Sequence, residues 1–147
     1  MFKSILYIFI FYSLTIATER QDIIDVLENY NEAFGKADYS NIINCFDYPV
    51  SFNLQDKTIG ASSKFKLKLI YKKIRGALPD YYAYSKWENI DIRLIDDSIA
   101  IIDANFSRYK NDDTIYDLGA AQYHMRLINN EWKIFSLTPY ARIKTLD

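Results

Sequence analysis

The 147-residue sequence has few of the residue types on which many functions depend. It has one cysteine, Cys45, and one histidine, His124, which excludes an internal disulfide framework and a metal centre built from several thiolates or imidazoles. Glycine (4) and proline (3) are scarce, so we expect long regular elements joined by short turns. The 18 basic residues nearly balance the 19 acidic ones, leaving no overall positive charge to attract nucleic acid. We therefore expect no metal, no cofactor and no nucleic-acid partner.

Aromatic residues, in contrast, are abundant. The chain has 13 tyrosines, 9 phenylalanines and 2 tryptophans, and half of its residues are hydrophobic. This composition excludes a disordered or low-complexity chain, because it provides enough apolar surface to offset the entropy of folding. The length is typical of one domain with one core.

The first 17 residues, MFKSILYIFIFYSLTIA, have the pattern of a signal peptide. Lys3 precedes an uncharged apolar run from Ile5 to Ala17, which is shorter than the roughly 20 residues that span a bilayer. We predict cleavage after Ala17 and export to the periplasm or the exterior, with residues 18–147 as the mature domain and no stable membrane insertion afterwards. An uncleaved anchor, or a cytoplasmic protein whose first segment packs on a partner, is the alternative.

The N-terminal half has the periodicity of helices. Apolar residues recur at helical spacing from Thr18, which fits an N-cap, to Gly35. Asp38 fits the N-cap of a second, short helix, and a third helix is predicted to begin at Ser62 or Ser63.

The remainder of the chain alternates as strands. One strand is predicted at 50–54, and four more follow at about 80–95, 98–110, 114–128 and 132–138, separated by turn-forming Asp and Asn residues. Short loops favour antiparallel hairpins. Helices followed by such a meander predict an α+β domain with helices on one face of the sheet.

Three segments carry a resemblance to a known superfamily: Tyr30–Asp38 (YNEAFGKAD), Cys45–Val50 (CFDYPV) and Met125–Ile134 (MRLINNEWKI). Their order and spacing resemble the nuclear transport factor 2-like superfamily, in its SnoaL-like (polyketide-cyclase-like) branch, over about residues 21–140. The resemblance implies a cone-shaped, strongly bent antiparallel sheet packed on three N-terminal helices, an apolar pocket at the wide end and a homodimer formed through the sheet. The superfamily contains isomerases, dehydratases and cyclases as well as binding and scaffold proteins, so the fold does not decide the function.

The alternation of the strands predicts which side chains line that pocket. A β-bulge between Trp87 and Ile90 would turn Trp87 inward and bend the sheet. Arg108 continues the apolar face of its strand, where it could bind a carboxylate or phosphate of a ligand or extend to water. The predicted ligand-binding residues are Tyr30, Tyr84, Trp87, Arg108 and Tyr123.

Three titratable residues are weak candidates for acid–base catalysis. His124 is the only imidazole, but its alternation places it on the outer face or at an interface. Asp103 would enter the pocket only if the phase of strand 98–110 were inverted. Asp117 has the inward phase of its strand and lies near the edge of the core.

The third helix carries six basic residues and no acidic one. An anionic ligand, a lipid or nucleic acid could bind them, but we interpret them as the solvated face of an amphipathic helix.

Three functions therefore remain open. The first is a non-catalytic pocket for a small apolar or aromatic ligand. The second is a small isomerase, cyclase or dehydratase that uses an inward carboxylate or histidine as its base. The third is a structural dimerisation domain with a filled cone.

Overall fold

The computed structural model describes residues 2–141, and the side chains of residues 18–93 and 95–141. The first helix, α1 (Phe2–Gly35), is continuous through the predicted cleavage point. Thr18 is therefore not the N-cap of this helix in the full chain, because helical backbone precedes it. The side chains of the predicted signal peptide lie outside the described residues. Within the described part of the chain, no helix combines the length and apolarity needed to cross a membrane.

Two shorter helices begin at the predicted caps. In α2 (Tyr39–Asn44), the Asp38 carboxylate accepts a hydrogen bond from the Asn41 backbone N–H at 3.1 Å. In α3 (Lys64–Gly76), the Ser63 hydroxyl accepts one from the Lys66 N–H at 3.3 Å. These bonds satisfy backbone donors that the first helical turn leaves unpaired.

Six strands form one curled, unclosed sheet. All neighbouring strands run antiparallel except the first and the sixth strand along the chain, which pair in parallel, so the sheet is mixed. The strands are β1 (Phe46–Asn53), β2 (Thr58–Ala61), β3 (Tyr82–Leu94), β4 (Ile99–Lys110), β5 (Ile115–Ile128) and β6 (Glu131–Tyr140). Their order in the sheet is β2-β1-β6-β5-β4-β3.

The α+β fold and the four-stranded meander predicted from the sequence are confirmed. The β5–β6 turn consists of Asn129 and Asn130, both with positive φ, as a two-residue hairpin turn requires. Strand β2 was not predicted, because it has only four residues and contains Gly60.

Irregular pairing between β3 and β4 helps the sheet to bend. Their register shifts between Trp87 and Asn89, where the sequence predicted a bulge, and again between Tyr82 and Tyr84. A bulge adds one residue to one strand, increases the local twist and changes which side chains face inward. Trp87 consequently packs against the core on the concave side.

The core lies between α1 and this concave side. Ile23, Leu27 and Tyr30 of α1 are buried, as are Ile102 of β4 and Met125 of β5. The apolar residues that recur at helical spacing on α1 therefore pack in one cluster with those at alternate positions of the strands.

Gly119 of β5 allows an aromatic ring to lie flat across the sheet. The residue pairs with Phe106 of β4, and a Cβ atom added to Gly119 would lie 2.3 Å from Cζ of that ring. Any side chain at this position would therefore displace Phe106.

We predict that Gly119→Ala lowers the free energy of unfolding by about 1–3 kcal/mol, because the methyl group overpacks the site. Gly76→Ala is the matched control, because no atom lies within 4 Å of its added Cβ. Because Gly76 is helical without positive φ, this control should leave stability unchanged or raise it by up to about 1 kcal/mol. Urea unfolding of both variants measures the difference, and equal stabilities would contradict the packing of Phe106 on Gly119.

Candidate functional site

A cavity of about 230 Å³ opens between α1, α3 and the concave side of the sheet. Its walls are mostly aromatic and aliphatic, with a few polar groups at defined positions. The residues around it are Tyr30, Asn31, Phe34, Phe52, Leu54, Tyr71, Ile74, Ser85, Trp87, Phe106, Arg108, Ala121, Tyr123, Leu137 and Pro139.

Three buried tyrosines from three elements meet at the cavity: Tyr30 of α1, Tyr71 of α3 and Tyr123 of β5. The Tyr71 hydroxyl donates a hydrogen bond to the Tyr30 hydroxyl at 3.1 Å. The ring of Tyr30 meets those of Tyr71 and Tyr123 edge to face, with centroids 6.0 Å apart in both cases. We call these three residues the tyrosine cluster.

Burial keeps the hydroxyl groups of this cluster protonated. It raises the pKa of Tyr30 to about 12. Burial also raises the pKa values of Tyr71 and Tyr123 well above the ordinary value, and hydrogen bonding to Tyr30 adds to both shifts. Protonated hydroxyls can donate hydrogen bonds to a ligand but cannot serve as bases near neutral pH.

The cluster has more donors than its internal hydrogen bonds use. Three hydroxyl groups carry three protons, and the Tyr71–Tyr30 hydrogen bond uses one of them. An interaction between the Tyr30 and Tyr123 hydroxyls can use at most one more. At least one O–H is therefore left for another acceptor at the cavity.

Trp87 and Phe106 form a second aromatic wall. Their ring centroids are 6.2 Å apart, and Trp87 also meets Tyr123 at 6.0 Å. The Trp87 indole donates a hydrogen bond to the Leu27 carbonyl at 3.3 Å, which fixes the ring against α1. Trp87 is thus positioned by the bulge and by this hydrogen bond together.

Arg108 lies at the edge of the cavity and is partly neutralised. Its Nη1 donates to Asp117 Oδ2 at 2.7 Å, and its guanidinium stacks 5.0 Å from the Phe106 ring centroid. Its Nε is buried and has no hydrogen-bond partner within the described residues. Arg108 also lines the cavity, and its guanidinium has N–H groups beyond the one bonded to Asp117, so it can offer a ligand a further donor.

This cavity is lined by four of the five predicted ligand-binding residues, Tyr30, Trp87, Arg108 and Tyr123, but not by Tyr84. The second irregularity in β3 turns Tyr84 to the other side of the strand. There it stacks on Tyr109 with centroids 4.8 Å apart and donates a hydrogen bond to Asp113 at 2.6 Å. Tyr84 therefore does not line the cavity as expected, and ligand binding by the other four residues stays a prediction.

The three candidate catalytic residues do not line the cavity. Asp103 accepts a hydrogen bond from Gln122 Nε2 at 2.8 Å, among residues that alternate with the core positions of their strands. His124 lies beside Phe135 of β6, with ring centroids 6.0 Å apart. Asp117 is held by Arg108 with 42% of its side chain exposed.

Sequence reasoning missed several aromatic and aliphatic walls of the cavity. Phe34, Tyr71 and Phe52 were not among the predicted ligand-binding residues. Their inward phases were visible in the sequence, but the position of the cavity depends on how α3 packs.

No group of three potential metal ligands occurs in the part of the chain that the structure describes.

Solved structures with the same fold come from several bacteria. One is a protein of unknown function with a cystatin-like fold from Nostoc punctiforme, with a TM-score of 0.72, 14% identity, and 84% of this chain and 90% of that chain covered. A second, from Novosphingobium aromaticivorans, is described as a candidate aromatic ring hydroxylase (TM-score 0.69, 14% identity, coverage 87% and 92%). A third, from the same organism, is described as a candidate scytalone dehydratase (TM-score 0.67, 13% identity, coverage 86% and 86%).

These likenesses define the class of the protein as an α+β domain with a cystatin-like fold. Residues 19–142 match the family described as NTF2-like protein (DUF6841). The chain belongs to this family, which confirms the superfamily resemblance. Among curated proteins, none is significantly similar in sequence.

We predict that stability falls as pH rises from about 10 to about 12. The unfolded chain releases tyrosine protons near pH 10, whereas the folded cluster retains them, so each cluster tyrosine contributes a slope of about −1.4 kcal/mol per pH unit. Tyr71→Phe removes one such group and should flatten the decline, whereas Tyr81→Phe, at a half-exposed ring, should not. Urea unfolding at pH 8, 10 and 11 measures the slopes, and identical slopes in both variants would refute the prediction.

Proposed function

We propose that this protein binds a small apolar or aromatic molecule that carries a hydrogen-bond acceptor, without catalysing a reaction. The observation that carries the proposal is an aromatic cavity whose tyrosine cluster has an unused hydroxyl donor. Apolar walls with a few oriented polar groups are typical of ligand pockets.

The size of the cavity limits the ligand. Its volume of about 230 Å³ is below the roughly 300–1,000 Å³ of drug-sized pockets, which favours a molecule of one or two rings. The edge-to-face arrangement of the surrounding rings leaves ring faces and edges available to an aromatic guest.

The polar groups favour an acceptor on that molecule. The unused O–H of the cluster and the guanidinium of Arg108 are both donors. A buried donor without a partner costs free energy, so a carbonyl or ether oxygen of the ligand would recover part of that cost. A ligand without an acceptor would leave the donor unpaired.

The residues that line the cavity argue against acid–base catalysis. No carboxylate or imidazole is among the cavity residues of the described chain, and the tyrosine hydroxyls are held protonated. The enzyme alternative would need Asp117 to leave Arg108 and turn inward. Two similar structures have enzyme descriptions, but identities of 13% and 14% support the fold alone.

The open cavity argues against the alternative of a structural dimerisation domain with a filled cone.

We also propose export and a homodimer formed through the outer side of the sheet. Export is supported by the signal-peptide pattern of residues 1–17. The dimer is supported by Phe135, a ring on the outer side of β6 that contacts Arg126 and His124.

Calorimetric titration with 2-acetylnaphthalene, and with 2-ethylnaphthalene as a matched compound lacking the acceptor, tests the proposed function. We expect the acetyl compound to bind about tenfold more tightly, which corresponds to one buried hydrogen bond of about 1.4 kcal/mol. The triple variant Tyr30→Phe/Tyr71→Phe/Tyr123→Phe keeps the rings and should lose most of that difference.

The control is Tyr84→Phe/Tyr109→Phe, which changes the stacked pair outside the cavity and should behave as wild type. If neither compound binds, the ligand pocket is refuted. Equal affinities in the wild-type protein would refute the acceptor requirement.

A further inference from the structure

Helix α3 exposes two large apolar residues on the side that does not face the core. Phe65 is 71% exposed and Leu69 is 50% exposed, whereas Leu67 and Tyr71 are buried. At 100° per residue, positions 65 and 69 lie one turn apart and opposite the buried pair. Packing within the domain therefore does not explain why these two positions are apolar.

Lysines flank this apolar pair on both sides. Helical geometry places Lys66 and Lys73 along one flank and Lys68 and Lys72 along the other. The helix contains no acidic residue, and within the described part of the chain none of these lysines forms an ion pair. The net charge of −1 for the whole chain thus conceals a strongly positive local surface.

An anionic lipid bilayer fits this surface better than a protein does. Helices that lie at a bilayer surface insert apolar side chains between headgroups while flanking lysines bind anionic phosphates. Two apolar residues on a convex helix form too small a core for a stable protein interface, which buries about 800 Å² per partner. Nucleic acid would use the lysines but would give Leu69 no role.

We propose that the outer side of α3, comprising Phe65, Leu69 and the four flanking lysines, binds the surface of anionic membranes. The opposite side of the same helix supplies Tyr71 and Ile74 to the cavity wall. Membrane binding would therefore hold one wall of the cavity near a source of apolar molecules. The proposal does not depend on the cavity being a ligand site.

Vesicle co-sedimentation of the full chain tests the proposal. Vesicles of phosphatidylcholine alone are compared with vesicles of one part phosphatidylglycerol to two parts phosphatidylcholine. We expect preferential binding to the anionic vesicles, weakened by salt, and about a tenfold or greater loss in Phe65→Ser/Leu69→Ser and in Lys66→Gln/Lys68→Gln/Lys72→Gln/Lys73→Gln.

Ile115→Ser/Leu118→Ser is the matched control, because these two apolar residues are 52% and 63% exposed on β5. It should bind as wild type, and circular dichroism checks that all variants are folded. No preference for anionic vesicles, or equal losses in the control, would overturn the proposal. Tight binding to polyglutamate that is unaffected by Phe65→Ser/Leu69→Ser would also overturn it, in favour of an acidic protein partner.

A local probe separates α3 from any binding through residues 1–17. Leu69→Cys and Leu118→Cys can each be labelled with an environment-sensitive fluorophore, because Cys45 is buried. Brominated lipid in the anionic vesicles should quench the label at position 69 and leave the label at position 118 unchanged. Absence of quenching at position 69 would refute insertion of this helix surface.

Discussion

The edge-to-face packing of Tyr30 is the interaction on which both the core and the cavity depend. Its ring meets Phe46 of β1, Tyr71 of α3 and Tyr123 of β5, at interplanar angles of 80°, 70° and 67°. These contacts fix α1 against the sheet and α3 against α1. Rigid rings held edge to face cannot fill space as flexible aliphatic side chains do, and the space left beside them is the cavity.

The bends of β3 determine which rings reach that cavity. The shift after Trp87 could be predicted, because a tryptophan out of phase with Ile90 and Ile92 would otherwise stand in solvent. The second shift, between Tyr82 and Tyr84, had no such signal, since both residues are tyrosines and either phase satisfies an aromatic ring. The sequence was therefore sufficient to predict that Trp87 faces the cavity, but not that Tyr84 faces away from it.

The starts of α2 and α3 and the meander of β3 to β6 were predictable because caps, turn residues and alternation are local signals, whereas the parallel pairing of β1 with β6 has no local signal. Asp38 and Ser63 begin helices in the structure as their sequence context indicates. The cavity depends on how distant elements pack, so Tyr71 could be assigned to a buried helix side but not to a site. The ion pair between Arg108 and Asp117 likewise follows from strand register, which spacing alone does not fix.

The central claim is that the space beside the tyrosine cluster receives a ligand. The two tryptophans allow one direct test, because Trp87 lines the cavity whereas Trp132 is buried outside it. Proton–nitrogen NMR of the two indole N–H groups during titration with 2-acetylnaphthalene should show a saturable shift of the Trp87 signal alone. A Trp87 signal that stays in place at saturating concentration, or that moves only together with Trp132, would contradict the account.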